Sequence, residues 1–189
     1  MSSPKRIHTY GHVSAQPQAI ANLFDAQLAS EIVAESDLAI FAINPAAGID
    51  QKTIDQWQAL SDFQLPRLVV VNELDGSDAD FEDAIMLANR VLDQLVTPFL
   101  VLHSESGSPI ALISLSDLQI IDYSTKPPII SASESEHQEL VAEFREEYLE
   151  DIAGAGENAF AAGLLFPAIP IVISNGLGID VVKSFIAQL

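Results

Sequence analysis

Acidic side chains crowd one short stretch, Asp78, Asp80, Glu82 and Asp83, which makes them the first candidates for holding a divalent cation. Their spacing is not that of a calcium loop, and acids opening a helix are favoured by its dipole, so the expectation is helix capping and no metal. Phosphate chemistry needs a lysine inside a glycine-rich loop, and none exists. The four lysines follow Pro4, Gln51, Thr125 and Val182, so a Walker A loop cannot be drawn in any register. The letters Gly154-Ala155-Gly156-Glu157-Asn158-Ala159 match a dinucleotide fingerprint but follow an acidic helical stretch where a strand is required, and read as a flexible helix link. His8, His103 and His137 lack a partnered serine or ligand spacing, so no hydrolytic triad is expected. The absence of cysteine excludes thiol catalysis, disulfides and thiolate metal sites. Asn72 and Asp75 close an apolar run and, with Gly76, have the composition of a strand-ending turn.

The elements that would position these residues belong to a chain of 189 residues with 27 acidic and 8 basic side chains, a net charge of −19. Such a field repels phosphate backbones and anionic lipid, so nucleic acid and membrane surfaces are disfavoured and a basic partner or none is expected. The first ten residues carry Pro4, Lys5 and Arg6 with no apolar segment behind them, which does not read as a secretory signal; a cytoplasmic location is the expectation. The uncharged part of the stretch from Asn158 to Ile179 is interrupted by Pro167, Pro170, Gly176 and Gly178 and reads as helix, break, buried strand and loop instead of a membrane span.

Charge-free runs at Leu38–Ile43, Leu68–Val71, Phe99–Leu102 and Ile169–Ile173 suit strands covered on both faces. Helical periods lie between them: one through Ile20, Leu23, Phe24, Leu28 and Ile32, a second through Ile54, Trp57 and Leu60, a third through Phe81, Ile85, Ala88, Leu92 and Leu95. This alternation predicts an α/β fold with a doubly wound, mostly parallel sheet and a ligand edge at the carboxyl ends of its strands. One break occurs, a two-stranded excursion at Ile110–Ile113 and Leu118–Tyr123, followed by a Pro- and Ser-rich link from Lys126 to Ser135 and an acidic helix from Glu136 to Asp151.

From Ser36 to Phe81 the chain resembles the G domain of elongation factor G and related translational GTPases. The matching residues are Ser36-Asp37-Leu38-Ala39-Ile40-Phe41, Gly48-Ile49-Asp50-Gln51-Lys52-Thr53 with Trp57, and Leu65-Pro66-Arg67-Leu68-Val69-Val70-Val71-Asn72-Glu73-Leu74-Asp75. A second patch, Phe166 to Gly178, is similar to the family's last strand and its Ser-Ala base-contact loop. The excursion and acidic helix stand where elongation factor G carries an insert, here about 104–152 of a single domain spanning 1–189. Two registers fit the N-terminus. In the favoured one, Arg6 to Phe24 corresponds to first strand, phosphate loop and first helix; in the other, Gly11-His12-Val13 mimics switch II.

The resemblance implies a P-loop-GTPase-like fold and a guanine-reading set of Asn72, Asp75, Ser174 and Asn175, with the backbone after the serine reaching the base. Glu73 replaces the family's lysine, and Gln16-Pro17-Gln18 replaces its Gly-Lys-Thr. Pro17 removes a donor from the phosphate position, so millimolar GTP or GDP binding or none is expected, with no cofactor and no hydrolysis. His12 would orient water only in the switch register and is otherwise structural. The expected function is therefore that of an inactive translational-GTPase-like domain that binds protein. Its alternatives are a working GTP/GDP binder and an acidic mimic that docks a basic surface through the Glu136–Asp151 helix. Loss of the second and third strands would expose the first strand, Lys5 to Gly11, as an edge for another chain or a second copy. Ribosome association follows from the resemblance alone.

Overall fold

The computed structural model describes residues 3–76 and 79–189. In chain order the elements are β1 (Ile7–Gly11), α1 (Pro17–Leu23), β2 (Gln27–Leu28), β3 (Leu38–Ile43), α2 (Gln51–Ser61), β4 (Arg67–Val71), α3 (Phe81–Val91), β5 (Leu95–Val96), β6 (Phe99–His103), β7 (Pro109–Ser114), β8 (Gln119–Asp122), β9 (Ile129–Ala132), α4 (Ser135–Leu140), α5 (Ala142–Ala155), β10 (Phe166–Pro170) and α6 (Ile179–Ile186). The two charge-free runs that form β3 and most of β4 are buried at every residue, as strands covered on both faces must be. They lie at the middle of a six-stranded sheet of order β2-β1-β3-β4-β10-β5, with every pairing parallel. A second sheet, β6-β7-β8-β9, is antiparallel throughout. One apolar core runs through both.

Aromatic rings bind sheet to helix in that core. Tyr10 stacks on Phe41 at 4.9 Å, Phe41 meets Trp57 edge-on at 5.0 Å, and Trp57 meets Phe166 edge-on at 5.3 Å. The buried Arg67 guanidinium lies 4.4 Å from the Trp57 ring and 4.3 Å from Phe166. It donates to the Trp57 carbonyl at 3.0 Å and to Ser61 Oγ at 2.8 Å, tying β4 to the second half of α2. Burial lowers its pKa, and the charge of Asp93 opposes that shift. At the other end of the molecule the buried Tyr123 donates to Asp180 at 2.6 Å, tying the end of β8 to α6; burial first, and then Asp180, push the phenol far above its usual range.

Several expectations are corrected. The first helical period ends at Leu23: Asp25 takes a positive φ of 50°, and the chain returns as β2, leaving Leu28 and Ile32 partly exposed. Because β2 pairs with His8 and Thr9, and Ala29 N donates to Thr9 O at 3.0 Å, β1 is an interior strand and not the open edge. Phe99–Leu102 belongs to the antiparallel sheet and is not covered on both faces: Leu100 alone is buried, and the other three are half-buried. The excursion has four strands in place of two, and the Lys126–Ser135 link contains β9. The last buried strand ends at Pro170, so Ile171–Ile173 begins the following loop. The acidic helix is two helices, broken at the buried Val141. Asp80 caps α3 by accepting from Asp83 N at 2.9 Å, the role assigned to these acids; Asp78 lies outside the described residues. Gly156 ends α5 at a φ of 85°. No helix among the described residues is long and apolar enough to cross a membrane.

Candidate functional site

A parallel sheet delivers the carboxyl ends of its strands to one side, and there the loops after β1, β3, β4 and β10 converge. The loop after β1 is a single tight turn through Val13–Ala15, with His12 Nδ1 accepting from Ser14 N at 3.2 Å. His12 is thus a local cap. Two side-chain amides from the surrounding loops hold the segment, and the segment's own Gln16 reaches out to a third contact. Asn44 donates to Ser14 O at 3.0 Å, Asn72 donates to Ala15 O at 3.1 Å, and Gln16 donates to the Glu73 carboxylate. Gln16 adopts a φ of 53°, and Pro17 opens the seven-residue α1 with no N–H to offer.

Of the four expected base-contact residues, the fold joins two directly, Asp75 and Ser174. Asn72 is buried and braces the loop after β1. Ser174 Oγ donates to Asp75 Oδ2 at 3.0 Å, so the loop after β10 closes on the loop after β4 across 99 positions of sequence. Asn175 points its side chain elsewhere, donating to Pro109 O at 3.0 Å and accepting from Leu177 N at 3.0 Å. Its backbone N–H, the group expected at a base, is used by no other described residue.

Beside the turn opens a cleft of about 600 Å³ lined by Gln16, Pro17, Gln18, Asn22, Ser30 and Lys52 among others. Lys52, in the first turn of α2, is the one charged side chain lining it among the described residues. No three His, Asp or Glu side chains converge on a metal-sized site among the described residues. Sequence reasoning missed Asn44 and the Gln16–Glu73 contact. Asn44 was findable: like Asn72 it is the first polar residue after a fully buried apolar run, where strand ends meet loops. The Gln16–Glu73 pair spans 57 positions and has no local signal.

The buried Asn72 gives a direct test of the bracing. Replacing it with alanine leaves the Ala15 carbonyl without its donor, an expected loss of about 1–3 kcal/mol in urea unfolding. A loss below the error of the measurement would show that the turn does not depend on this amide.

These features define an α/β domain whose open parallel sheet carries a loop cluster of the kind that receives ligands. No protein-family model matches the chain. The chain is 28% identical over 167 residues to an elongation factor G-like protein of Mycobacterium tuberculosis, an alignment covering 76% of this chain and 23% of the relative. It is 30% identical over 86 residues to a mitochondrial ribosome-releasing factor 2 of Anopheles gambiae, covering 45% of this chain and 12% of that protein. Elongation factor G of Gluconobacter oxydans is 27% identical over 85 residues, with 45% and 12% covered. A crystal structure of a Thermus thermophilus protein superposes with a TM-score of 0.71 at 22% identity, over 82% of this chain and 26% of that one, a likeness of fold. The similarities support a translation-factor-like relationship, and the chain spans a quarter or less of the length of these relatives.

Proposed function

We propose that this chain is an elongation-factor-G-like domain that has given up phosphate chemistry and acts by binding protein. The observation that carries the reading is the turn after β1. Where a phosphate loop would present backbone N–H groups and a lysine, this turn is bound by the amides of Asn44 and Asn72, ties its own Gln16 to Glu73 and runs into Pro17. Asp75 could supply two charge-assisted hydrogen bonds to a guanine edge, roughly 3–6 kcal/mol gross. Association costs about 4–15 kcal/mol, and Asp75 already accepts from Ser174. Glu73 adds a negative charge beside a polyanion. Hydrolysis is not part of this function, and no cofactor is required for it. The relatives' names extend the proposal to the ribosome; at −19, contact through ribosomal protein is favoured over contact through RNA.

A second reading, a working guanine-nucleotide site, is favoured by one observation: Ser174 bonds to Asp75, and the N–H of the next residue, Asn175, is used by no other described residue. Titration calorimetry with GDP and with GTP, each with and without Mg²⁺, separates the two. The expected trace is flat at micromolar concentrations. Micromolar affinity for either nucleotide would establish the second reading and end the first.

A further inference from the structure

The two sheets have four outer strands, and three are guarded. β2 and β5 are two residues each, and β6 packs beside β10. The fourth, β9, is exposed at all four residues, with Ile129 56% and Ile130 62% accessible. Its pairing with β8 is regular over four rungs, without a bulge, and β9 contains neither charge nor proline. Natural edges are protected by such devices, and here the proline and charge stand only outside the strand, at Lys126, Pro127, Pro128 and Glu134.

The hydrogen-bond ladder shows which groups are free. Tyr123 N donates to Ile110 O at 2.9 Å, so in the β7–β8 register residues 121 and 123 bond toward β7 and residues 120 and 122 toward β9. Ile120 and Asp122 face Ser131 and Ile129 across the next rung. Ser131 and Ile129 therefore bond to β8, while Ile130 and Ala132 direct their N–H and C=O groups outward.

We propose that β9 pairs antiparallel with β9 of a second copy of this chain, joining two four-stranded sheets into one of eight strands about a two-fold axis. The edge demands a strand, and a second copy matches its flanks: in antiparallel pairing about Ile130 the Lys126 end of one strip lies at the Glu134 end of the other, opposite in charge. Two copies each carrying −19 repel over most of their surfaces and meet with least repulsion where the strip from Pro127 to Ser133 is uncharged. A basic partner would be drawn to the acidic helices α4 and α5 instead. A two-fold perpendicular to the sheet requires each residue to face one of the same side-chain orientation, so the axis passes through Ile130 or Ser131. With only a short strand buried, the dimer is weak, forming between micromolar and millimolar concentration.

Sedimentation equilibrium of the 189-residue chain across that range tests the pairing. The expected result is a monomer–dimer equilibrium that strengthens as salt is raised, because screening relieves like-charge repulsion. Docking driven by the acidic helices would weaken with salt. Ile130→Pro removes an outward N–H without touching the β8 ladder, and Ile130→Lys places like charges across the axis. Each is expected to abolish the dimer while leaving the circular dichroism spectrum unchanged. Because the chain has no cysteine, Ile130→Cys and Ser131→Cys provide a covalent readout under a mild oxidant such as oxidised glutathione. One of the two should cross-link to a dimer, and Leu164→Cys, a comparably exposed position outside β9, should not. A strict monomer at millimolar concentration in high salt, a dimer indifferent to both Ile130 variants, or cross-linking no better than at Leu164 each overturns the proposal. None of these outcomes bears on nucleotide binding, so this inference and the proposed function fail separately.

Discussion

Trp57→Ala is expected to lower the unfolding free energy by about 3–5 kcal/mol, the range for removing a fully buried large aromatic side chain. Trp57 has no exposed surface and stands between Phe41 and Phe166 in the ring series that joins α2 to β3 and β10. Its loss also takes an aromatic face from the buried Arg67 cation, whose other contacts are the Phe166 ring, a carbonyl and a hydroxyl. In a domain of this size each kcal/mol moves the melting temperature by about 2–4 °C, so a fall of roughly 6–20 °C is expected by calorimetry. Trp57→Phe keeps a ring against Phe41 and should lose less. An alanine variant melting within a degree or two of the parent would mean that this cluster does not hold the sheet to its helix.

Gly178→Ala is expected to cost roughly 2–6 kcal/mol, from backbone strain of about 1–3 kcal/mol and a steric clash of similar size. Gly178 has a φ of +80°, and a Cβ added there would lie 1.9 Å from the backbone oxygen of Pro170. A rigid carbonyl at the end of β10 cannot yield as a flexible side chain would. Gly48 supplies the control: its φ is +74°, but an added Cβ would meet only Leu87 Cδ2, at 3.7 Å. Gly48→Ala therefore carries the strain without the clash, and the difference between the variants measures the close approach. The same Gly178 substitution should loosen the turn that sets Ser174 against Asp75. Hydrogen exchange at Val172 and Gly176, whose N–H groups bond to Leu177 O at 3.1 Å and Val172 O at 3.0 Å, is expected to accelerate in Gly178→Ala and not in Gly48→Ala. Equal losses in the two variants would remove the clash from the argument.

The α/β alternation was legible because β3 and β4 are buried on both faces and must be written as apolar runs, and because α2 and α3 carry one apolar face each. In the second sheet β6, β7 and β8 were legible as strands, and β9 was not: it is wholly exposed, so its residues carry no burial pattern, and it lies in a stretch whose prolines and serines look like a linker. Helix α1 was overextended because Leu28 and Ile32 continue its period by coincidence while Asp25 turns the chain away.

Composition and order alone determined that no lysine follows a glycine, that there are no thiols and that the charge is −19, because no folding can supply an atom or a neighbour the chain does not contain. Folding decided the contacts between distant residues: Asn72 bracing the turn before α1, Gln16 meeting Glu73, Ser174 closing on Asp75, and β2 covering β1 while β9 stays open. Such contacts depend on sheet order and loop direction, which arise from packing the whole chain at once and leave no signature in any local stretch of residues.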